Sequence, residues 1–422
     1  MVDDAGRTAY RGRMSTVTQS AMRSPTTAEP PDRLHHILGD QANVTFADGE
    51  TVVEPRNEDA CARTLAACSA NGWRATVSGS GHWLPQRPPS IVRISTGQMD
   101  AITDVRPADF YATVQAGVNT DKLANELMSQ GVWLPIDPPG AQRTVGSLLG
   151  CATQGGLRTG FGGVRDHVLG LTVITGSGRV LRLGGRVVKN VAGFDIAKLV
   201  IGGFGAYGIV TAAHVKLRAQ PTCDATVQIR GDRFHLLEVA AVILAAGMTP
   251  AALQLSTDAS AQTLTVRSVG SGDLVDAEVA GVRRACGEAV DQLSVEDADT
   301  WWSARRAAVV AAPVTVRIGM TSTGVARALE ISDDYAGTRA VTFGFGGATL
   351  RWNGEADTPD LLRMRELAAK EGMPLVVERA PGRILAAVGH YGRLPEGSAR
   401  LAPALQKVFD PAGVLSGALW GT

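Results

Sequence analysis

"GGFGAYGIVTAAHVKL", residues 202–217, is the stretch on which the reading of the fold turns. Its residues Gly203, Gly205 and Gly208 satisfy Gly-x-Gly-x-x-Gly, the spacing of a dinucleotide-binding βαβ turn. That turn works only if a helix follows at once, so that its N-terminus meets a pyrophosphate, with an acidic residue about 20 positions further on. Here residues 209–217 are β-branched and strand-like, so no helix follows the glycines. A doubly wound nicotinamide site is therefore excluded, and these glycines must serve another architecture.

Working outward, residues 168–183 predict a hairpin around Thr175-Gly176-Ser177-Gly178. Residues 57–72 predict a helix capped by Asn57 and stopped by Gly72, and residues 120–131 a second one between Thr120 and Gly131. The strand WRATVSG, residues 73–79, runs into the glycine-rich SGSGHWLP, residues 78–85. Strands and helices thus alternate up to about residue 132. From there to 166 turn chemistry dominates, and long irregular segments inside a domain are usually functional. Beyond Pro221, strands alternate with helices near 233–247 and 274–290 in the manner of an antiparallel sheet covered on one face, an α+β plait. A helix and turn close the chain.

The expected organisation is an α+β protein: residues 1–32 without fixed structure, closed by Pro30 and Pro31, a first domain over 33–220, a second over 221–390, and a C-terminal segment, 391–422, that returns to the first. Met14 and Met22 are alternative starts.

Composition narrows the function. Apolar content of 45% with 41 basic and 41 acidic residues describes a globular chain with no net charge. That removes the electrostatic case for nucleic acid or an anionic membrane. No run of about 18 apolar residues is present to span a bilayer, and the N-terminus has no signal-peptide pattern. The five cysteines form no Cys-x-x-Cys pair, against a cysteine-held zinc or iron–sulfur site, and their odd number fits a reduced cytoplasmic protein.

Of the 49 glycines, many cluster between 140 and 210. Ser78, Gly79, Ser80, Gly81 and His82 place several backbone N–H groups at a strand end, and such groups can cradle phosphate oxygens without a basic side chain. Thr144-Val145-Gly146-Ser147 opens another turn after a double proline and offers more donors. Each loop alone is also compatible with a plain surface turn.

Taken together, the motifs carry a family resemblance. Residues 188–195, VKNVAGFD, the following 202–208 glycine run, Arg165-Asp166-His167-Val168-Leu169-Gly170 and Phe409-Asp410-Pro411-Ala412-Gly413-Val414 resemble the FAD-binding subunits of bacterial glycolate oxidases. Those subunits belong to the vanillyl-alcohol oxidase superfamily with PCMH-type FAD-binding domains. The resemblance implies a two-lobed FAD-binding domain followed by a smaller α+β domain. It places Ser78, Gly79, Ser80, Gly81 and His82 on the pyrophosphate loop, Pro138, Thr144, Gly146 and Ser147 on a second flavin-contacting stretch, and Gly208, Ile209 and Val210 on the strand at the adenine side. It further implies partners, a second flavoprotein subunit and an iron–sulfur subunit, and a small 2-hydroxy acid as substrate. The location would be cytoplasmic, reaching the inner face of a membrane only through those partners.

Two departures leave alternatives open. The histidine-rich metal motif of related hydroxy-acid dehydrogenases is missing; the stretch 375–393 holds one histidine, His390, with Glu378, Arg379 and Arg383 nearby. No metal site and no catalytic residue is assigned, although Arg379, Arg383 and His390 could hold a carboxylate. The C-terminal Leu415-Ser416-Gly417-Ala418 also stands where the family usually has an Asn-Pro-Gly-Arg-like turn. His82 matches the position of a covalent flavin link in sugar-oxidising relatives, so a stand-alone sugar-alcohol or aldonolactone oxidase is the alternative. In the other reading His82 bonds a phosphate or closes the turn against Trp83. A non-catalytic, flavin-stabilised scaffold is the third possibility.

Overall fold

The computed structural model describes residues 29–415 apart from 82, 84–89, 141, 186–194, 258–260, 288–289, 345–346, 393 and 395. The expectation for residues 1–28 and the positions of His82 and the VKNVAGF run lie outside the described residues.

Three sheets organise the rest. The first has four strands in the order Ala42–Ala47, Glu50–Pro55, Val92–Ser95, Ala75–Ser78, the last two pairings parallel. The helix Glu58–Asn71 covers it. Asn57 accepts a hydrogen bond from the Ala60 N–H (2.9 Å), and Gly72 ends the helix in the left-handed region, as the sequence predicts. One boundary differs. Pro30 and Pro31 open the helix Pro30–Leu38 rather than close an irregular segment. Proline suits a first helical turn, where its missing N–H is not needed.

The second sheet has five antiparallel strands, Ile102–Arg106, Tyr111–Gln115, Ile209–Lys216, Val168–Ile174 and Val180–Gly184. The predicted hairpin is its Val168–Ile174 and Val180–Gly184 pair. The strand Ile209–Lys216 sits at the centre, which confirms that a strand and not a helix follows the glycine run.

The third sheet has eight strands, all antiparallel, between Cys223 and Arg379. The helices Arg233–Ala245, Gly272–Cys286, Val325–Asp333 and Thr358–Lys370 pack on one face over a single core that includes Leu264, Leu350, Trp352 and Leu361. Strand alternation turns every second side chain away from these helices. Leu350 and Trp352 point into that core, whereas Arg351 between them reaches across to the Gln154 carbonyl (2.7 Å). This second face is not open, contrary to expectation. The segment around Arg158–Phe161 and a 17-residue helix, Val295–Ala311, cover it. Trp302 of that helix is buried and donates its indole N–H to Thr226 Oγ1 (3.1 Å).

After the helix Glu396–Phe409 the chain rejoins the first sheet. The Ala75 N–H donates to the Val414 carbonyl (2.8 Å), and Val414 and Leu415 enter the core around Leu65 and Ile94. The carboxylate of Asp410 fixes this turn by accepting from the N–H groups of Val414 and Leu415 (2.9 and 2.7 Å).

Candidate functional site

A cleft runs between the four-stranded and five-stranded sheets, walled by Val77, Ser78, Gly79, Gly81, Trp83, Thr96, Gly146, Ser147, Gly150, Cys151, Val200, Phe204, Gly205, Gly208 and Val210. Among the described residues its lining holds no charged side chain. The strand Ala75–Ser78 delivers the first loop, and the N–H groups of Gly79, Ser80 and Gly81 take no backbone partner among the described residues. Gly79 is required by close approach: a Cβ there would stand 2.1 Å from Thr144 Oγ1. Gly208 (φ +134°) is required on the opposite wall, where a Cβ would meet Val173 Cγ1 at 2.6 Å. Two buried polar atoms that border the cleft, Ser78 Oγ and Trp83 Nε1, have no partner among the described residues. Buried polar groups are normally paired. A narrow channel with free backbone donors and two orphaned side-chain groups fits a long, flat, diphosphate-bearing ligand.

Trp83 is held from behind by Arg143, whose guanidinium lies 4.3 Å from the ring centroid. Arg143 is 1% exposed and donates to Ser147 Oγ, the Ser147 carbonyl and the Pro139 carbonyl (3.1 Å each). Burial lowers its proton affinity to about 10, still far above neutrality, so a full positive charge stands directly behind the uncharged cleft wall. Burial also pushes the thiol of Cys151, on the cleft wall, up to about 11.

The structure brings most of the predicted residues together and separates others. Ser78, Gly79, Gly81, Gly146, Ser147, Gly208 and Val210 line the cleft. Ser80 faces outward and donates to the Gln142 carbonyl (2.8 Å), which ties this loop to the next. Ile209 turns into the core, as alternation from Gly208 and Val210 demands. Pro138 lies elsewhere, in the wall of a small apolar cavity beside His167. Thr144 caps the helix Val145–Cys151 rather than a turn, and the expected extra donors are already used. The N–H groups of Val145 and Gly146 bond to the Val118 and Ala116 carbonyls, and that of Ser147 to Thr144 Oγ1. Sequence reasoning missed Thr96, Gly150, Cys151 and Phe204. Gly205, in the motif set aside as nucleotide-binding, lines the cleft too.

Arg379, Arg383 and His390 do not converge. Arg379 donates to the Ala312 carbonyl, and Arg383 is exposed. His390 is buried with its ring stacked on Phe204 (3.6 Å between centroids) and Nδ1 on the Val377 carbonyl (2.6 Å). Burial holds its proton affinity down to about 4, so it is neutral. Glu378, fully buried, accepts from Arg317 Nε (2.8 Å) and Arg351 Nε (3.0 Å). Burial opposes its charge, but the two guanidiniums outweigh burial and keep it ionised.

Residues 50–184 match the family model described as FAD binding domain. The chain is 30% identical over 276 residues to glycolate oxidase subunit GlcD of Bacillus subtilis, covering 60% of this chain and 58% of that one. It is 36% identical over 129 residues to glycolate oxidase subunit GlcE of Escherichia coli, covering 30% of this chain and 37% of that one. It is 30% identical over 199 residues to a D-lactate dehydrogenase of Anaerostipes hadrus, covering 44% and 42%. These matches therefore span less than two thirds of each relative's length. Among solved structures, an alkyldihydroxyacetonephosphate synthase shares the fold, with a TM-score of 0.65 over 86% of this chain and 76% of that one at 14% identity. The cleft's backbone donors come from the matched segment. Residues 50–184 are thus an FAD binding domain, in a chain related to the glycolate oxidase subunits and D-lactate dehydrogenases.

Proposed function

We propose that this chain is an FAD-dependent oxidoreductase subunit of a glycolate-type 2-hydroxy-acid oxidase, passing electrons from the acid to a partner subunit. The observation that carries the reading is the uncharged cleft with free N–H groups at Gly79, Ser80 and Gly81 and orphaned polar atoms at Ser78 and Trp83. Oriented backbone dipoles of this kind hold a diphosphate. The bound flavin would supply a two-electron acceptor for the substrate's α-carbon hydrogen. Trp83, Cys151 and Phe204, which line the cleft, would hold the ring system, and the apolar contacts they make with Val309 and Val310 would keep water from it. The buried Arg143 sets a positive potential on that wall.

Dependence on partners is supported by the two relatives being glycolate oxidase subunits and by cysteines too scattered for a cluster. The partners are a second flavoprotein and an iron–sulfur subunit, and the assembly is cytoplasmic or held to a membrane through them. Among the described residues no helix is long and apolar enough to cross a membrane.

Affinity purification of the tagged chain from its own cells tests the reading. A flavin spectrum and co-purifying subunits are expected, with little oxidation of glycolate or D-lactate by the chain alone. Robust turnover from the single polypeptide would remove the partner requirement, and a flavin-free chain would remove the reading itself. Acid precipitation of the same sample separates free FAD from a covalent link at His82.

A further inference from the structure

A second, larger cleft lies between the FAD binding domain and the eight-stranded sheet. Its chemistry is the opposite of the flavin cleft's. Arg158 and Arg165 stand on one wall and Arg317 and Arg365 on the other, and one carboxylate, Asp166, faces them. Behind Arg317, Glu378 is shared with Arg351, each of its oxygens accepting from one of the two.

The four arginines are not equally committed. Arg165 gives one N–H to the Ile201 carbonyl (2.8 Å). Arg365 donates to the carbonyls of Val388, Gly389 and His390, yet its Nε is buried without a partner. Arg317 spends only Nε on Glu378 among the described residues. Arg158 makes no hydrogen bond or ion pair to any described residue; burial first, and then the charge of Arg317, lower its proton affinity, and the charge of Asp166 only partly opposes them. Two guanidiniums repel each other across a cleft whose lining offers one carboxylate, Asp166, and neither forms an ion pair with it among the described residues, so the cleft suits a further anion. Guanidiniums recognise carboxylate and phosphate oxygens through paired, charge-assisted bonds.

The cleft also adjoins the flavin site. Cys151 lines one cleft and its neighbour Ala152 the other. Phe204 lines the flavin cleft and lies edge-on to Tyr391 (5.9 Å), which lines the arginine cleft and donates its hydroxyl to the Gly202 carbonyl (2.6 Å). The wall between them is one layer of side chains.

We propose that this arginine cleft binds a small organic anion with two acidic groups, one held by Arg158 and Arg165 and the other by Arg317 and Arg365. A monocarboxylate such as glycolate would satisfy one wall and leave the other uncompensated, whereas a dianion bridges both. Taking that dianion as the substrate rests on the function proposed above; anion binding itself does not. The shared chemistry is two acidic groups, carboxylate or phosphate, and the test distinguishes them.

Calorimetric titration of the full-length, flavin-loaded chain with acetate, malonate, succinate and inorganic phosphate decides the matter. Malonate or succinate should bind at least about ten-fold more tightly than acetate, and phosphate binding as tightly as either would assign the second acidic group to a phosphate source. Arg158→Gln should cut dianion affinity by about ten-fold or more, with flavin absorbance and Tm unchanged because Arg158 touches neither the flavin cleft nor a structural partner. Arg158→Lys, which keeps the charge but loses the fork, should fall between. Equal affinities for acetate and the dianions, or an Arg158→Gln variant that binds like the parent, would overturn the proposal. These results are independent of turnover, so a flavin-bound chain that ignores dianions defeats this inference alone, while a flavin-free chain defeats the functional reading alone.

Discussion

The two clefts meet across a single layer of side chains and solve recognition in opposite ways. Among the described residues, the flavin cleft holds no charged side chain and works with backbone N–H groups, glycines and one buried cation set behind its wall. The arginine cleft presents guanidiniums directly, and one of them, Arg317, is anchored from behind by the buried Glu378. A large ligand that stays bound is met by fixed dipoles, which need no reorganisation. An exchanging anion suits side-chain charges in an open cleft, where it can enter and leave.

The sharpest way to break the contrast is to fill the backbone-lined side. Gly79→Val puts a branched side chain where Thr144 Oγ1 already stands, 2.1 Å from the new Cβ. Flavin content, read from absorbance, should fall below about a tenth of the parent's, the scale of an overpacking cost near 1–3 kcal/mol per site. Anion titration should be unaffected. Gly79→Ala combined with Thr144→Gly should recover flavin, and failure to do so would mean that the loop contributes more than space.

On the charged side, Arg351→Met leaves Glu378 buried with one partner. Removing one partner of a buried ion pair costs about 3–5 kcal/mol, and urea unfolding at neutral pH measures it. A loss below about 1 kcal/mol would show that Arg317 alone compensates Glu378.

A smaller effect tests the wall itself. Burial first, and the charge of Arg365 in addition, hold His390 neutral in the native state down to about 4, against 6.5 for a free imidazole. An unfolded chain binds that proton below about 6.5 while the native one does not. Stability is therefore complete above that pH and falls as pH drops toward 4, by about 3 kcal/mol in all. Urea midpoints between pH 7.5 and 4.5 should show the slope, and His390→Phe should flatten it. A slope that persists in the variant would assign it to other groups.

The legibility of the two clefts differs for the same physical reason. A backbone cradle is written locally: Ser78 to Gly81 and Gly146-Ser147 are contiguous, and glycine there has few other uses. The eight-stranded sheet announced itself through alternation, yet the helix Val295–Ala311 did not, because its apolar residues do not collect on one side. Ile209 and Pro138 were assigned to the site by family position, and alternation and the chain path put them elsewhere. The arginine cleft was invisible. Arg158, Arg317 and Arg365 come from three distant segments, and nothing marks them among 41 basic residues until the sheet brings Arg317 opposite the FAD binding domain. Glu378 was noticed beside His390, but its partners lie 27 and 61 positions away.

The return of the chain to Ala75 has a consequence for synthesis on the ribosome. The strand Ala75–Ser78 is an edge of its sheet, and its outer neighbour is Leu415. An unpaired edge is a template for wrong partners. At about 5–20 residues per second, residue 415 emerges roughly 10–40 s after residue 220. Through that interval the first sheet has all its own strands but not its closing segment, with the core site of Val414 and Leu415 unfilled. The nascent FAD binding domain is thus held incomplete until translation of the other domain has finished, and the last turn, pinned by Asp410, is what closes it.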